Sequence, residues 1–325
     1  MFKHIYQAIG NTPLIEIEIP RGKLFAKLEY LNPGGSVKDR SALCMIEDAE
    51  KKNLLLPGGI IIDASSGNQG IATAMIGAAK GYKVIICVPD KISKEKLDTL
   101  RAFGAQVEIF PATNFLEDPE SYHSQAVRLH HQTPNSFMPN QYFSQTNALA
   151  HYTLLGPEIW RQTNGKITHF FAAAGTGGTV TGAGRYLKQQ NGMIKIFAMD
   201  SINSFKATGG NPKPYAIDGM GMDFDSPVFD ETIVDDIILV KDEDALPLLQ
   251  KLAHNQGILV GPSSAAVAWA GITYAQTHFH ETDLGIMIFG DSGRAYLSKH
   301  AYNTYDTQET AIIPDQDHSS HTTRA

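Results

Sequence analysis

Residues 59–88 read GIIIDASSGNQGIATAMIGAAKGYKVIICV, and this stretch decides the fold. A short apolar run, 59–63, reads as a buried strand. A loop of small and hydroxyl residues follows it. The segment 68–80, rich in Ala, Ile and Gly, reads as a helix, and 82–88 as the next strand. Strand, helix and strand in this order belong to parallel sheets covered by helices on both faces.

The same rhythm extends outward. A helix is expected over 93–103 and a strand over 107–110. Further strands are expected at 168–173, 195–198, 233–240 and 284–289. Helices fit 39–52, 178–190, 242–255 and 263–277. The fold class is therefore α/β, in two domains, each a mostly parallel twisted sheet covered by helices. The rhythm breaks over 134–145, where the hinge is placed. At about 150 residues per domain, 325 residues agree with two. Residues 201–227 are too long for a plain connection, which points to function. Residues 303–325 are polar and aperiodic, and are expected to be a disordered tail.

Composition narrows the function. Lys and Arg total 27 against 34 Asp and Glu, a net charge of −7, so no nucleic-acid partner is expected. Two cysteines, Cys44 and Cys87, exclude a disulfide framework and a cysteine-type zinc site. Each sits in an apolar stretch and reads as a buried small hydrophobe. No histidine pair has supporting ligands at motif spacing, so no metal is expected. Residues 1–15 show no apolar core with a cleavage site, so no signal peptide is expected, and no apolar run approaches the roughly 18 residues of a membrane span. A soluble, cytoplasmic protein without a membrane partner is expected.

Ligands of open parallel sheets sit at the carboxyl ends of the strands. After the strand at 59–63 come Ser65, Ser66, Gly67, Asn68 and Gln69, opening a helix. Such a loop suits a carboxylate, and it also reads as a plain N-cap by Ser65 or Ser66. After the strand at 168–173 come Gly175, Thr176, Gly177, Gly178 and Thr179. Their backbone N–H groups make a phosphate cup. The cup lacks the lysine of a nucleoside-triphosphate loop and the full dinucleotide fingerprint. Lys38 falls at a helix start, where the helix dipole disfavours it unless something uses it. Gly290-Asp291-Ser292-Gly293-Arg294 follows the last core strand. A lysine, a phosphate cup, a carboxylate loop and a polar strand end together suit pyridoxal phosphate.

From Tyr6 to Ser298 the chain resembles the fold-type II pyridoxal-phosphate enzymes of the cysteine synthase and cystathionine β-synthase group. The resemblance rests on Asn11-Thr12-Pro13-Leu14, GGSVKDR with Lys38, SSGNQG with Asn68, and GTGGTVTG. It continues through Asp218-Gly219-Met220-Gly221, Gly261-Pro262-Ser263-Ser264-Ala265 and GDSGRAYLS. KLEYLNPGGSVKDR and the stretches around Lys91, Leu100 and Asp118 are most similar to the cystathionine β-synthase branch.

The resemblance implies that Lys38 is catalytic and holds the cofactor aldehyde. Asn68 would bind the cofactor's 3′ oxygen, Gly175, Thr176, Gly177, Gly178 and Thr179 the phosphate, and Ser292 the ring nitrogen, with Asp291 turned away from it. Ser65, Ser66, Gln69 and Gln141 match substrate-carboxylate positions. Gly219 and Gly221 match the loop on the substrate side. Two departures concern the substrate: Gln69 stands where the family has Thr, and Met222 where cystathionine β-synthases have Tyr.

The implied reaction is β-replacement on serine or O-acetylserine with homocysteine, giving cystathionine. A cysteine synthase using O-acetylserine and sulfide, a diamino-acid synthase with an amine nucleophile, and a non-catalytic regulatory paralogue are the alternatives. The resemblance further implies a homodimer with small-molecule amino-acid and thiol substrates. It implies a smaller mobile domain at 35–141, with 1–34 and 142–302 as the larger cofactor domain. The length implies a catalytic core without a haem segment or paired regulatory modules.

Overall fold

A computed structural model describes residues 1–65, 67–113, 115–299 and 302. Ser66 and the expected tail at 303–325 lie outside the described residues.

From the N-terminus, β1 (Leu14–Ile17) and β2 (Lys23–Leu28) form a hairpin, followed by α1 (Lys38–Lys51). Next come β3 (Ile60–Ala64), α2 (Asn68–Lys80), β4 (Lys83–Pro89), α3 (Lys94–Ala102) and β5 (Gln106–Phe110). Helix α4 (Tyr122–Gln132) leads to β6 (Ser136–Phe137). Helices α5 (Gln145–Ala150) and α6 (Gly156–Gln162) are joined through a π-helical turn, His151–Leu155. Then follow β7 (His169–Ala173), α7 (Gly178–Gln190), β8 (Lys195–Ser201) and β9 (Asp236–Val240). Helices α8 (Asp242–Ala245), α9 (Pro247–Gln256) and α10 (Pro262–His278) precede β10 (Leu284–Phe289). A 3-10 segment, Gly293–Lys299, comes after it.

Among the described residues the strands form two sheets. One has the order β1-β2-β10-β7-β8-β9, the other β5-β4-β3-β6. All pairings are parallel except the β1–β2 hairpin. Parallel strands covered on both faces must be apolar throughout. Ile61 and Ile62 in β3, and Phe170 and Phe171 in β7, are accordingly all buried. Helix α10 is apolar on nearly every side because β7 and β10 lie beneath it and α8 and α9 beside it. Cys87 is buried in β4; Cys44, on α1, is only half-buried.

Three sequence expectations change. The helix expected over 242–255 is two helices, because Pro247 has no N–H to continue α8. The strand expected from 233 begins at Asp236. Asp230 accepts from the Thr232 N–H and closes a single turn, Glu231–Ile233, ahead of it. The break at 134–145 contains β6, which pairs with β3.

Strands β1 and β2 carry no clear apolar signature, because β2 holds Lys27 with a fully buried side chain. Its Nζ donates to Thr12 O at 2.7 Å and reaches Glu158 Oε1 at 2.5 Å. Arg40 Nε pairs with Glu29 at 2.7 Å, and its Nη1 with Glu158 at 2.9 Å. Two cations and two carboxylates thus balance in a dry site between the hairpin, α1 and α6. Burial alone would raise the Glu158 carboxyl, but Arg40 and Lys27 hold it down at about 2. The backbone N–H groups of Asn11 and Thr12 donate to the same carboxylate at 2.9 and 3.0 Å. Removing one member leaves an uncompensated buried charge. Arg40→Met should therefore lower the unfolding free energy by about 3–5 kcal/mol. Urea denaturation of wild type and variant at neutral pH measures the difference.

Candidate active site

The carboxyl ends of β7 and β10, the starts of α1, α7 and α10, and Gly219 meet at one cavity. The first turn of α7 has no acidic side chain against it, so its positive end stays open to an anion. Its N-cap, Gly177, has φ +85°. A Cβ there would stand 2.5 Å from the Cβ of Phe229, so only glycine fits the turn. Asn147 Nδ2 donates to Thr176 Oγ1 at 3.0 Å and to the Gln141 carbonyl at 2.9 Å. One amide thus spans the phosphate cup and the Gln141 segment. Thr179 Oγ1 contacts His151 Nε2 at 3.3 Å, and burial keeps that imidazole neutral.

Lys38 is the first residue of α1. The preceding Val37 N–H donates to Gly290 O at 2.8 Å, which sets the helix start against the end of β10. Burial pushes the Lys38 ammonium down, and the charge of Asp291 opposes that shift. Lys38, the 175–179 loop, Gly219 and Ser263 all line the cavity. An amine able to meet an aldehyde and a backbone cup able to meet a phosphate share one space. These residues fit pyridoxal phosphate.

Ser292 follows the end of β10, after Gly290 and Asp291. It pairs with Val260 through its backbone, and its hydroxyl accepts from the Arg294 N–H at 3.3 Å. Asp291 beside it is buried, its Oδ2 accepting from Asn68 Nδ2 and the Tyr296 hydroxyl. Thr176 and Thr179 line the cavity, and so does Ser263, near the start of α10. The sequence carried a signal for it, since proline at a first helical turn followed by two serines marks a helix N-terminus.

Gln69 Oε1 accepts from Ser41 Oγ at 3.0 Å, and its Nε2 leans toward Thr73 Oγ1 at 3.5 Å. Thr73 in turn donates to Asp63 at 2.7 Å. The longer amide fills a polar seam between α1 and α2. Ser65 Oγ accepts from the N–H groups of Gly67 and Gly70 at 3.0 and 2.9 Å, so it braces the loop. Asn68 Nδ2 donates to Asp291 Oδ2 at 2.7 Å. Gln141 is buried, and Gly221 lies beyond Gly219, its N–H bonded to Ala174 O at 2.9 Å. Met222 is buried in the core.

Comparison with known proteins places the chain. The family described as pyridoxal-phosphate dependent enzymes matches residues 5–290. The chain belongs to that family, whose members use pyridoxal phosphate. The honeybee (Apis mellifera) cystathionine beta-synthase is 42% identical over 91% of this chain. The chain spans 60% of that relative's length. An O-acetylserine dependent cystathionine beta-synthase of Bacillus subtilis is 35% identical over 92% of this chain and 97% of its own. The crystal structure of the O-acetylserine dependent cystathionine beta-synthase from Helicobacter pylori superposes with a TM-score of 0.87 at 35% identity. It covers 93% of this chain and 99% of its own. Among the described residues, no helix is long and apolar enough to cross a membrane.

The seam at Gln69 has a pH signature. Burial raises the Asp63 carboxyl to about 7, against the hydrogen bonds it accepts from Thr73, the Ala64 N–H and Gln69. The unfolded chain releases that proton near its ordinary value of about 4. Stability from the neutral form is full below that value and is lost as pH rises through about 7. Asp63→Asn should therefore gain on wild type between about pH 4 and pH 7. Urea midpoints of both proteins at the two ends of this window check it; a constant difference would contradict the assignment.

Proposed function

We propose that the chain catalyses β-replacement on serine or O-acetylserine with homocysteine, giving cystathionine. The observation that carries this reading is the shared cavity of Lys38, the 175–179 loop and Ser263. Bound pyridoxal phosphate supplies an electron sink for charge developing at the substrate Cα. Lys38 Nζ, its basicity lowered by burial, takes the Cα proton and later returns one. The open N–H groups at the start of α7 hold the phosphate. Ser292 offers the ring nitrogen a neutral partner, which does not hold it protonated as a carboxylate would. The loop braced by Ser65, with Ser66 and Gln141, takes the substrate carboxylate, and Gly219 and Gly221 bound the substrate side.

In this reading residues 35–141 move as the smaller unit, closing on the carboxylate and excluding water. Residues 1–34 and 142–302 hold the phosphate, and the enzyme works in the cytoplasm as a homodimer. The O-acetylserine dependent relatives that match over nearly their whole length support the activated donor. A second reading, cysteine synthase, draws on a probable cysteine synthase of Bacillus subtilis, 39% identical over 94% of its length.

One assay separates the two. Serine and O-acetylserine are each offered with homocysteine or sulfide, and products are identified by mass. Cystathionine from O-acetylserine and homocysteine is the expected main product; cysteine formed in preference would install the second reading. Lys38→Ala should lose the visible band of the lysine-bound cofactor and lower turnover by at least about 100-fold.

A further inference from the structure

On the far side of Asn68 lies a buried polar chain that the reaction above leaves unused. Lys96, Tyr296 and Asp291 are 7%, 0% and 2% exposed. Lys96 comes from α3, and its stem crosses Gly67 so closely that a Cβ there would meet Lys96 Cδ at 2.4 Å. Its Nζ donates to the Tyr296 hydroxyl at 3.0 Å and sits 4.2 Å from the centre of that ring. The Tyr296 hydroxyl donates to Asp291 Oδ2. The same oxygen accepts from Asn68 Nδ2 at 2.7 Å.

The chemistry of this chain has one direction. Asp291 Oδ2 accepts from both the Tyr296 hydroxyl and Asn68 Nδ2, so it takes the nitrogen end of the Asn68 amide. One amide N–H is thereby fixed on Asp291, and the other is aimed elsewhere. A buried carboxylate also needs a cation or several donors to stay ionised. Lys96 is the cation of α3 that reaches it, through Tyr296. The two ends of the chain belong to different layers. Lys96 and Asn68 come from helices on the four-stranded sheet, whereas Asp291 and Tyr296 follow the last strand of the six-stranded sheet. Ser93 Oγ donates to Ala295 O at 2.8 Å and Ser298 N donates to Glu95 at 2.7 Å, so the start of α3 is docked on the same segment.

We propose that Asp291 is the positioning residue for Asn68, with Lys96 acting on it through Tyr296, so that the second Asn68 N–H is presented to the cofactor. This rests on the contact of Asn68 with the cofactor's 3′ oxygen that the family resemblance implies. The test uses the full chain loaded with pyridoxal phosphate, and reads the visible absorption band and the cofactor dissociation constant beside steady-state kinetics. Asn68→Ala and Asp291→Asn should both shift the band. Each should weaken cofactor binding about tenfold, the scale of one hydrogen bond to a charged group. Lys96→Met should move both readouts in the same direction, and Lys96→Arg should restore them. Turnover should fall in these variants with the KM for the amino acid unchanged.

A wild-type band and affinity in Asp291→Asn and Lys96→Met, beside an altered Asn68→Ala, would overturn the inference alone. A wild-type Asn68→Ala would remove the role of Asn68 itself. Tyr296→Phe keeps the ring and removes the link, so it decides the matter if Asp291→Asn does not fold.

Discussion

Four buried charges hold the molecule's geometry. Lys27, Glu29, Arg40 and Glu158 come from a hairpin strand, the turn after it, the first helix and a helix over a hundred residues later. Each charge is costly to bury alone, and together they satisfy one another. The backbone of residues 11 and 12 is bound into the same site. Arg40 stands two residues after Lys38, so the helix that presents the amine cannot shift without pulling a guanidinium off two carboxylates. An apolar contact of similar size would tolerate sliding. Paired charges with directional hydrogen bonds do not.

The cavity inherits this rigidity on one side and is tied together by shared groups on the other. The Asn147 amide spans the phosphate cup and the Gln141 carbonyl, and the Asp291 carboxylate takes both the Asn68 amide and the Tyr296 hydroxyl. Segments proposed to bind the cofactor and the substrate are therefore bonded to common partners. A change at one end is felt at the other through a single side chain.

Much of this was legible in the sequence. The buried parallel strands announced themselves as apolar runs, and the helices at 68–80 and 178–190 start and stop where the sequence put them. The open helix start at 175–179 was legible from its glycines and threonines, and Lys38 from its place at a helix start. Strand β2 was not, because Lys27 and Glu29 read as surface charges until their partners are known. The Gln69 contacts with Ser41 and Thr73 were not legible, since Ser41 is distant in sequence and Thr73 sits at ordinary helical spacing. Lys96 gave no sign, since a lysine three residues after a serine cap looks solvated.

The π-helical turn at His151–Leu155 has a consequence of its own. A π turn takes in one more residue than an α turn. An α-helix advances about 100° per residue. The extra residue therefore sets the rotational phase of α6 relative to α5. Upstream, His151 meets Thr179 of the phosphate cup; downstream, Glu158 meets Arg40 and Lys27. Regular helix through this stretch would satisfy one of these contacts and swing the other more than a quarter turn out of reach. The irregular turn acts as a phase adjuster, letting one run of chain serve both the cofactor cup and the buried charges.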